Sequence, residues 1–275
     1  MARGRRATVN RPGIQPSELY PGGRPRASDI DQGPLGTCYL LASMGALANQ
    51  RPDVIRDAIS YDARSDSFDV RLNIDGEWRT INVTQADIRD NVARQGGSTL
   101  DETGRDAPAW PAVIETAAAK AADTNHADGL DQGYAEINGG KARDSMEMLT
   151  GNRGEDITFS DGWFESRDAA IARFAGRIDA ALANGRPVTL STDPESGGWF
   201  SDLFGTPAED GLVDNHVYVV EGVSEVNGEQ MVTLRNPWAH NTVEGRNENS
   251  PTITVSLRSL IDSGGLEYVN AGPAN

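Results

Sequence analysis

Asp31-Gln-Gly-Pro-Leu-Gly-Thr-Cys-Tyr-Leu-Leu41 decides how this chain is read. It holds the only cysteine, Cys38. Before Cys38, Gly33, Pro34 and Gly36 interrupt regular structure. After it, Leu40, Leu41, Met44, Leu47 and Ala48 recur on one helical face. Thr37 is placed as the N-cap, so Cys38 falls in the first helical turn. Unpaired backbone N–H groups and the positive end of the helix dipole favour a thiolate there. Gln32 brings a side-chain amide donor to the same spot. A thiolate beside a donor is the start of an acyl-transfer site. A lone cysteine among apolar residues is commonly a small buried hydrophobe. That role, however, needs neither the flanking glycines nor Gln32.

The 275 residues suffice for one large domain or two packed subdomains. The formal charge of −16 argues against nucleic acid, which needs a basic footprint. Divalent cations or basic peptide segments suit such a surface better. No apolar run approaches the ~20 residues of a membrane span. The start, Met1-Ala-Arg-Gly-Arg-Arg6, is basic but lacks the apolar core of a signal peptide. Localisation therefore stays open between cytoplasmic and exported as part of a larger protein. A single cysteine rules out an intrachain disulfide and a cysteine-cluster zinc site. Oligomeric state is not readable.

Residues 1–27 carry six arginines against one acid, Glu18, and are punctuated by prolines. They read as a flexible basic tail or linker. Asp66 to Val83 reads as a hairpin around the Asp75-Gly76 turn. Residues 84–107 read as polar and irregular, with acids Asp87, Asp90, Asp101, Glu102 and Asp106. Pro108 to Asp123 reads as a helix, 124–140 as loop, and Asp144 to Thr150 as a helical turn or two. Gly151-Asn-Arg-Gly154 marks a boundary, giving a Cys-bearing unit at 28–150 and a second unit at 151–275. In the second unit Ser166 caps a helix to Ala183. Strands follow at 187–191, 215–223, 230–236, 252–257 and 267–270, with Asn227-Gly228 as a turn. Asp193 to Asp214 reads as a long loop able to wall a cleft, with Trp199 and Phe200 as candidate substrate contacts.

Of the histidines, His126 and His240 lie in polar loops, whereas His216 opens the apolar run Val217-Tyr-Val-Val220. Asn236 ends the returning strand, so pairing can bring it beside His216. Its amide can hold the imidazole tautomer, and Trp238 can cover the bond. Cysteine, then histidine, then asparagine is the chain order of papain-type hydrolysis. Cys38 is the candidate nucleophile, His216 the base, and Asn236 the orienter. Gln32 and the Cys38 N–H are the candidate oxyanion donors.

Three blocks, Gln32 to Leu41, Asn215 to Val223 and Leu234 to Trp238, resemble the active-site blocks of the calpain protease core. So do Trp110-Pro-Ala-Val-Ile-Glu115, Ile137-Asn-Gly-Gly140 and Met146-Glu-Met-Leu-Thr-Gly151. The chain departs from the usual pattern at Tyr39, Asn215, Ala239 and His240. The resemblance implies a papain-like α+β fold, with a mainly helical Cys subdomain and an antiparallel-sheet His/Asn subdomain. It implies a cysteine endopeptidase acting on protein or peptide substrates, with Gly36, Trp199, Asn215 and Trp238 along the substrate cleft. The chemistry needs no cofactor. Calcium in acidic core loops is implied for the family, with no acid matched to it here. The competing readings are acyl or amide transfer by the same groups, and a non-catalytic interaction module.

Overall fold

The computed structural model describes residues 13–98, 100, 107–124, 129–193, 211–241 and 250–274. The first helix, α1 (Cys38–Gln50), is buried from Tyr39 through Ala48. The apolar stripe predicted from spacing is thus only part of its buried surface, because elements pack on every side of it. On one side stand α2 (Pro52–Ala58) and the elements that follow it in the first unit.

After α2 come β1 (Ile59–Asp62), β2 (Ser67–Ile74) and β3 (Glu77–Thr84), an antiparallel meander. Asp75 and Gly76 form the predicted turn with φ of 54° and 84°. Phe68, Val70 and Leu72 are fully buried, whereas the outer strand leaves Trp78 exposed beneath the Arg71 guanidinium. Next come α3 (Gln85–Ala93), α4 (Trp110–Ala122), α5 (Asp131–Glu136) and α6 (Ala142–Thr150). Gly151 ends α6 in the left-handed region.

Two stretches expected to be irregular are helical. Thr84 caps α3 through a reciprocal bond pair with Asp87, and α5 occupies part of 124–140. The expected loose tail also differs in its described part. Ile14 and Leu19 are buried in the first core. The Ile14 backbone is held on both sides by the Gln85 amide. These apolar anchors outweigh the proline breaks that suggested a linker.

The second unit is a six-stranded antiparallel sheet. Its strands are β4 (Glu155–Ile157), β5 (Val188–Thr192), β6 (Val217–Val226), β7 (Glu229–Arg235), β8 (Thr252–Ser256) and β9 (Leu266–Ala271), in the order β4-β9-β5-β6-β7-β8. The helices α7 (Arg167–Ala183) and α8 (Leu257–Ser263) pack on it through Ile171, Phe174, Ile178 and Leu260. Ser166 caps α7 as the sequence predicts. The α+β class expected from the sequence is the class observed.

Strand β6 joins the halves. Val217 and Val219 belong to the first core, and Tyr218 and Val220 to the second, as the two-residue period of a strand requires. Gly45 of α1 makes the seam possible, since a Cβ there would sit 2.9 Å from Val219 Cγ2.

Candidate active site

A cleft of about 370 Å³ opens between the halves. Gly36, Cys38 and the 138–141 turn line one side, and Ser191 to Asp193, Asn215 to Val217, Glu267 and Tyr268 line the other. Cys38 is half-buried at the first turn of α1. Its thiol reaches the backbone of Val217, the residue after His216. Burial pushes the Cys38 thiol up, and backbone bonds from Val217, Tyr39 and Cys38 itself only partly offset this.

His216 is buried at the head of β6, and Asn236 is buried just past β7. His216 Nε2 lies 2.9 Å from Asn236 Oδ1. The Trp238 backbone N–H, which can only donate, reaches the same Asn236 atom at 3.0 Å, so that atom is the carbonyl oxygen. His216 Nε2 must then carry the proton, and Nδ1 keeps its lone pair. Burial lowers the His216 pKa to about 4, against the opposing pull of the Asn236 bond. Both shifts run against the thiolate–imidazolium pair expected from the sequence, because burial disfavours the charged form of each group.

Other contacts hold these side chains in place. His216 and Thr192 exchange backbone bonds through the Thr192 N–H and Oγ1. The Trp238 ring lies 4.6 Å from the imidazole, centroid to centroid, and is not among the residues lining the cleft, where the sequence reading put it. Asn236 Nδ2 donates to Asn241 Oδ1 at 3.4 Å, and Asn241 in turn donates to Ser250 O. Asn241 was not anticipated, as a lone asparagine beyond the last strand residue carries no distinguishing sequence signal.

Gln32 is buried, and its Nε2 donates to Leu35 O at 2.6 Å. One amide hydrogen is thereby engaged and one remains. Gln32 does not line the cleft itself. Its backbone N–H donates to Pro237 O at 2.8 Å, tying the cysteine loop to the Asn236 turn. Gly36 does line the cleft and is pinned to the 138–139 turn, donating to Asn138 Oδ1 and accepting from Gly139 N. A Cβ at Gly36 would meet Asn138 Oδ1 at 2.3 Å, so a larger residue there would displace the Asn138 side chain that holds the loop. Asn215 lines the cleft with φ of 51°. Trp199 and Phe200 lie outside the described residues.

Among the described residues no three histidine, cysteine, aspartate or glutamate side chains converge as metal ligands. Asp87 is engaged by Lys120 and the α3 cap, and Asp90 by Arg94. Asp101, Glu102 and Asp106 fall outside the described residues. No calcium site is assigned.

A helical unit presenting a cysteine to a histidine- and asparagine-bearing antiparallel sheet has the build of a cysteine protease. A model of the calpain family of cysteine proteases matches residues 9–252, and the chain belongs to that family. It is 27% identical over 243 residues to "Calpain-type cysteine protease DEK1" of Zea mays, covering 86% of this chain and 10% of the maize protein. It is 28% identical over 234 residues to "Calpain-2 catalytic subunit" of Gallus gallus, covering 82% of this chain and 30% of the chicken protein. The chain thus spans less than a third of these two relatives. Among solved structures, the digestive procathepsin L 3 of the Tenebrio molitor larval midgut matches with a TM-score of 0.35 and 17% identity, over 97% of this chain and 72% of that one. Among the described residues, no helix is long and apolar enough to cross a membrane.

Proposed function

We propose that this chain is a cysteine endopeptidase that cleaves peptide bonds of protein substrates through Cys38, His216 and Asn236. The observation that carries the reading is the fixed polarity of the His216–Asn236 bond. It leaves Nδ1 as a proton acceptor in a cleft that Cys38 also lines.

In this mechanism Nδ1 takes the thiol proton as the sulfur attacks the scissile carbonyl carbon. The tetrahedral oxyanion accepts from the Cys38 backbone N–H, and its second donor in this reading is the Gln32 amide hydrogen that Leu35 leaves unengaged, although Gln32 stands outside the cleft lining itself. Collapse expels the amine, which leaves with the proton held on His216. A thioester of Cys38 remains. Water, deprotonated by Nδ1, attacks it and releases the acid and the thiol. Asn236 keeps the ring in one tautomer through every step.

The test is digestion of casein by the wild-type chain and by Cys38→Ala. The expected result is cleavage by the wild type alone, with matching far-UV spectra. Equal digestion by both would reject the assignment. Product carrying an added amine in place of water would move the reaction to the transferase class.

A further inference from the structure

Glu115, on α4, is fully buried and lies outside the cleft lining, yet its carboxyl group accepts bonds from both ends of the active-site loop's support. Oε1 accepts from Thr37 Oγ1 at 2.6 Å. Oε2 accepts from Asn91 Nδ2 and from the Gly97 N–H, each at 2.8 Å. Thr37 immediately precedes Cys38, and its carbonyl starts α1 by accepting from Leu40 and Leu41. Its hydroxyl makes no bond to its own helix. The N-cap is thus anchored to α4 instead.

The other arm of the carboxyl reaches the Gln32 side of the same loop. Gly97 O accepts from the Asp31 N–H, and Ile30 forms a β-bridge with Ser98. Gly33 packs so closely on this segment that a Cβ there would fall 1.9 Å from Gln95 O. Gly96 is similarly confined, its Cβ position lying 2.5 Å from Glu115 Oε2. One carboxyl group therefore clamps the residue before Cys38 and the backing of Gln32.

We propose that Glu115 is a positioning residue that sets the separation between the Cys38 N–H and the Gln32 amide, and so builds the oxyanion site. This rests on the endopeptidase reading above. Oxyanion donors act only within about 2.7–3.1 Å of the developing charge, so the spacing of the two donors must be held tightly. With an amide in place of the carboxyl, the oxygen stays with the Asn91 and Gly97 donors and the NH2 faces Thr37 Oγ1, so the Thr37 hydroxyl proton loses its acceptor and the short anchor on the residue before Cys38 weakens. The loop would relax away from α4.

The test uses the full chain, wild type and Glu115→Gln, with a fluorogenic peptide, and normalises rates by active-site titration with a peptidyl epoxide. The expected result is a kcat per titrated site lower by about 10²-fold, with KM little changed and affinity for a peptide aldehyde falling in parallel. A merely structural role would lower the melting temperature and the titratable fraction but leave kcat per site intact, and that outcome overturns the proposal. Should Glu115→Gln fail to fold, Thr37→Val cuts one arm of the clamp. It is expected to lower kcat per site by about tenfold, and an unchanged value is again fatal. An inert wild type, unlabelled at Cys38, would instead overturn the endopeptidase reading and carry this inference down with it.

Discussion

Two donors meet at one oxygen of Asn236, and that convergence settles which nitrogen of His216 holds the proton. Asn236→Ala is expected to lower kcat by about 10²-fold with KM nearly unchanged, because the ring loses its tautomer rather than its contacts with substrate. Steady-state kinetics on a peptide substrate check this. Burial of His216 also makes a prediction about pH. Its folded-state value of about 4 lies below the ordinary 6.5, so between them the unfolded chain binds more protons and stability rises with pH. The contribution is complete above pH 6.5 and is lost as pH falls through 4. Urea midpoints measured from pH 7 to 4 should therefore fall more steeply for the wild type than for His216→Gln; parallel curves would contradict the assignment. Cys38, His216 and Asn236 stand out in the sequence by their order and flanking residues, and the structure places His216 beside Asn236. The burial that acts on their charges does not show in the sequence. The helix-dipole argument counts only Cys38's own helix, while the burial that pushes the thiol up comes from a cleft assembled by distant elements.

Among the elements, hairpins were the easiest to read. Asp75-Gly76 and Asn227-Gly228 both adopt positive φ, the geometry that these residue pairs tolerate and tight turns demand. Helix α3 was missed because its apolar face is thin, with Ile88 buried and charged residues around it. The signal that could have found it was the Thr84-x-x-Asp87 capping pattern. Thr84→Ala should cost about 1 kcal/mol of stability, measured by urea denaturation, through loss of that cap. Helix α1 was found, but its full burial was not, because the spacing of Leu40, Leu41, Met44 and Leu47 says nothing about what packs behind Ala42, Gly45 and Ala46. Gly45 faces Val219 across the seam, so Gly45→Ala should destabilise by about 1–3 kcal/mol through overpacking. Adding Val219→Ala should recover part of that loss, and a strictly additive double mutant would show that the contact is not the cause.

At the scale of the molecule, the halves share β6, which gives alternate side chains to each core, and are tied again by the Gln32 N–H to Pro237 O bond. Neither core is complete without that strand. The halves are therefore expected to unfold in one transition, with fluorescence and circular dichroism midpoints coinciding in urea; two separated transitions would contradict the shared core. The sequence indicated two units from the composition change near Gly151 to Gly154, but the strand that couples them reads like any other apolar run. We propose that this coupling brings sulfur, imidazole and carboxamide together as one acyl-transfer unit. Intact-mass measurement after treatment with a peptidyl epoxide tests it most directly. A single adduct on Cys38 is expected in the native chain, strongly reduced in His216→Ala and in the urea-unfolded wild type. Equal labelling of native, His216→Ala and unfolded chains would show an ordinary thiol and contradict the account.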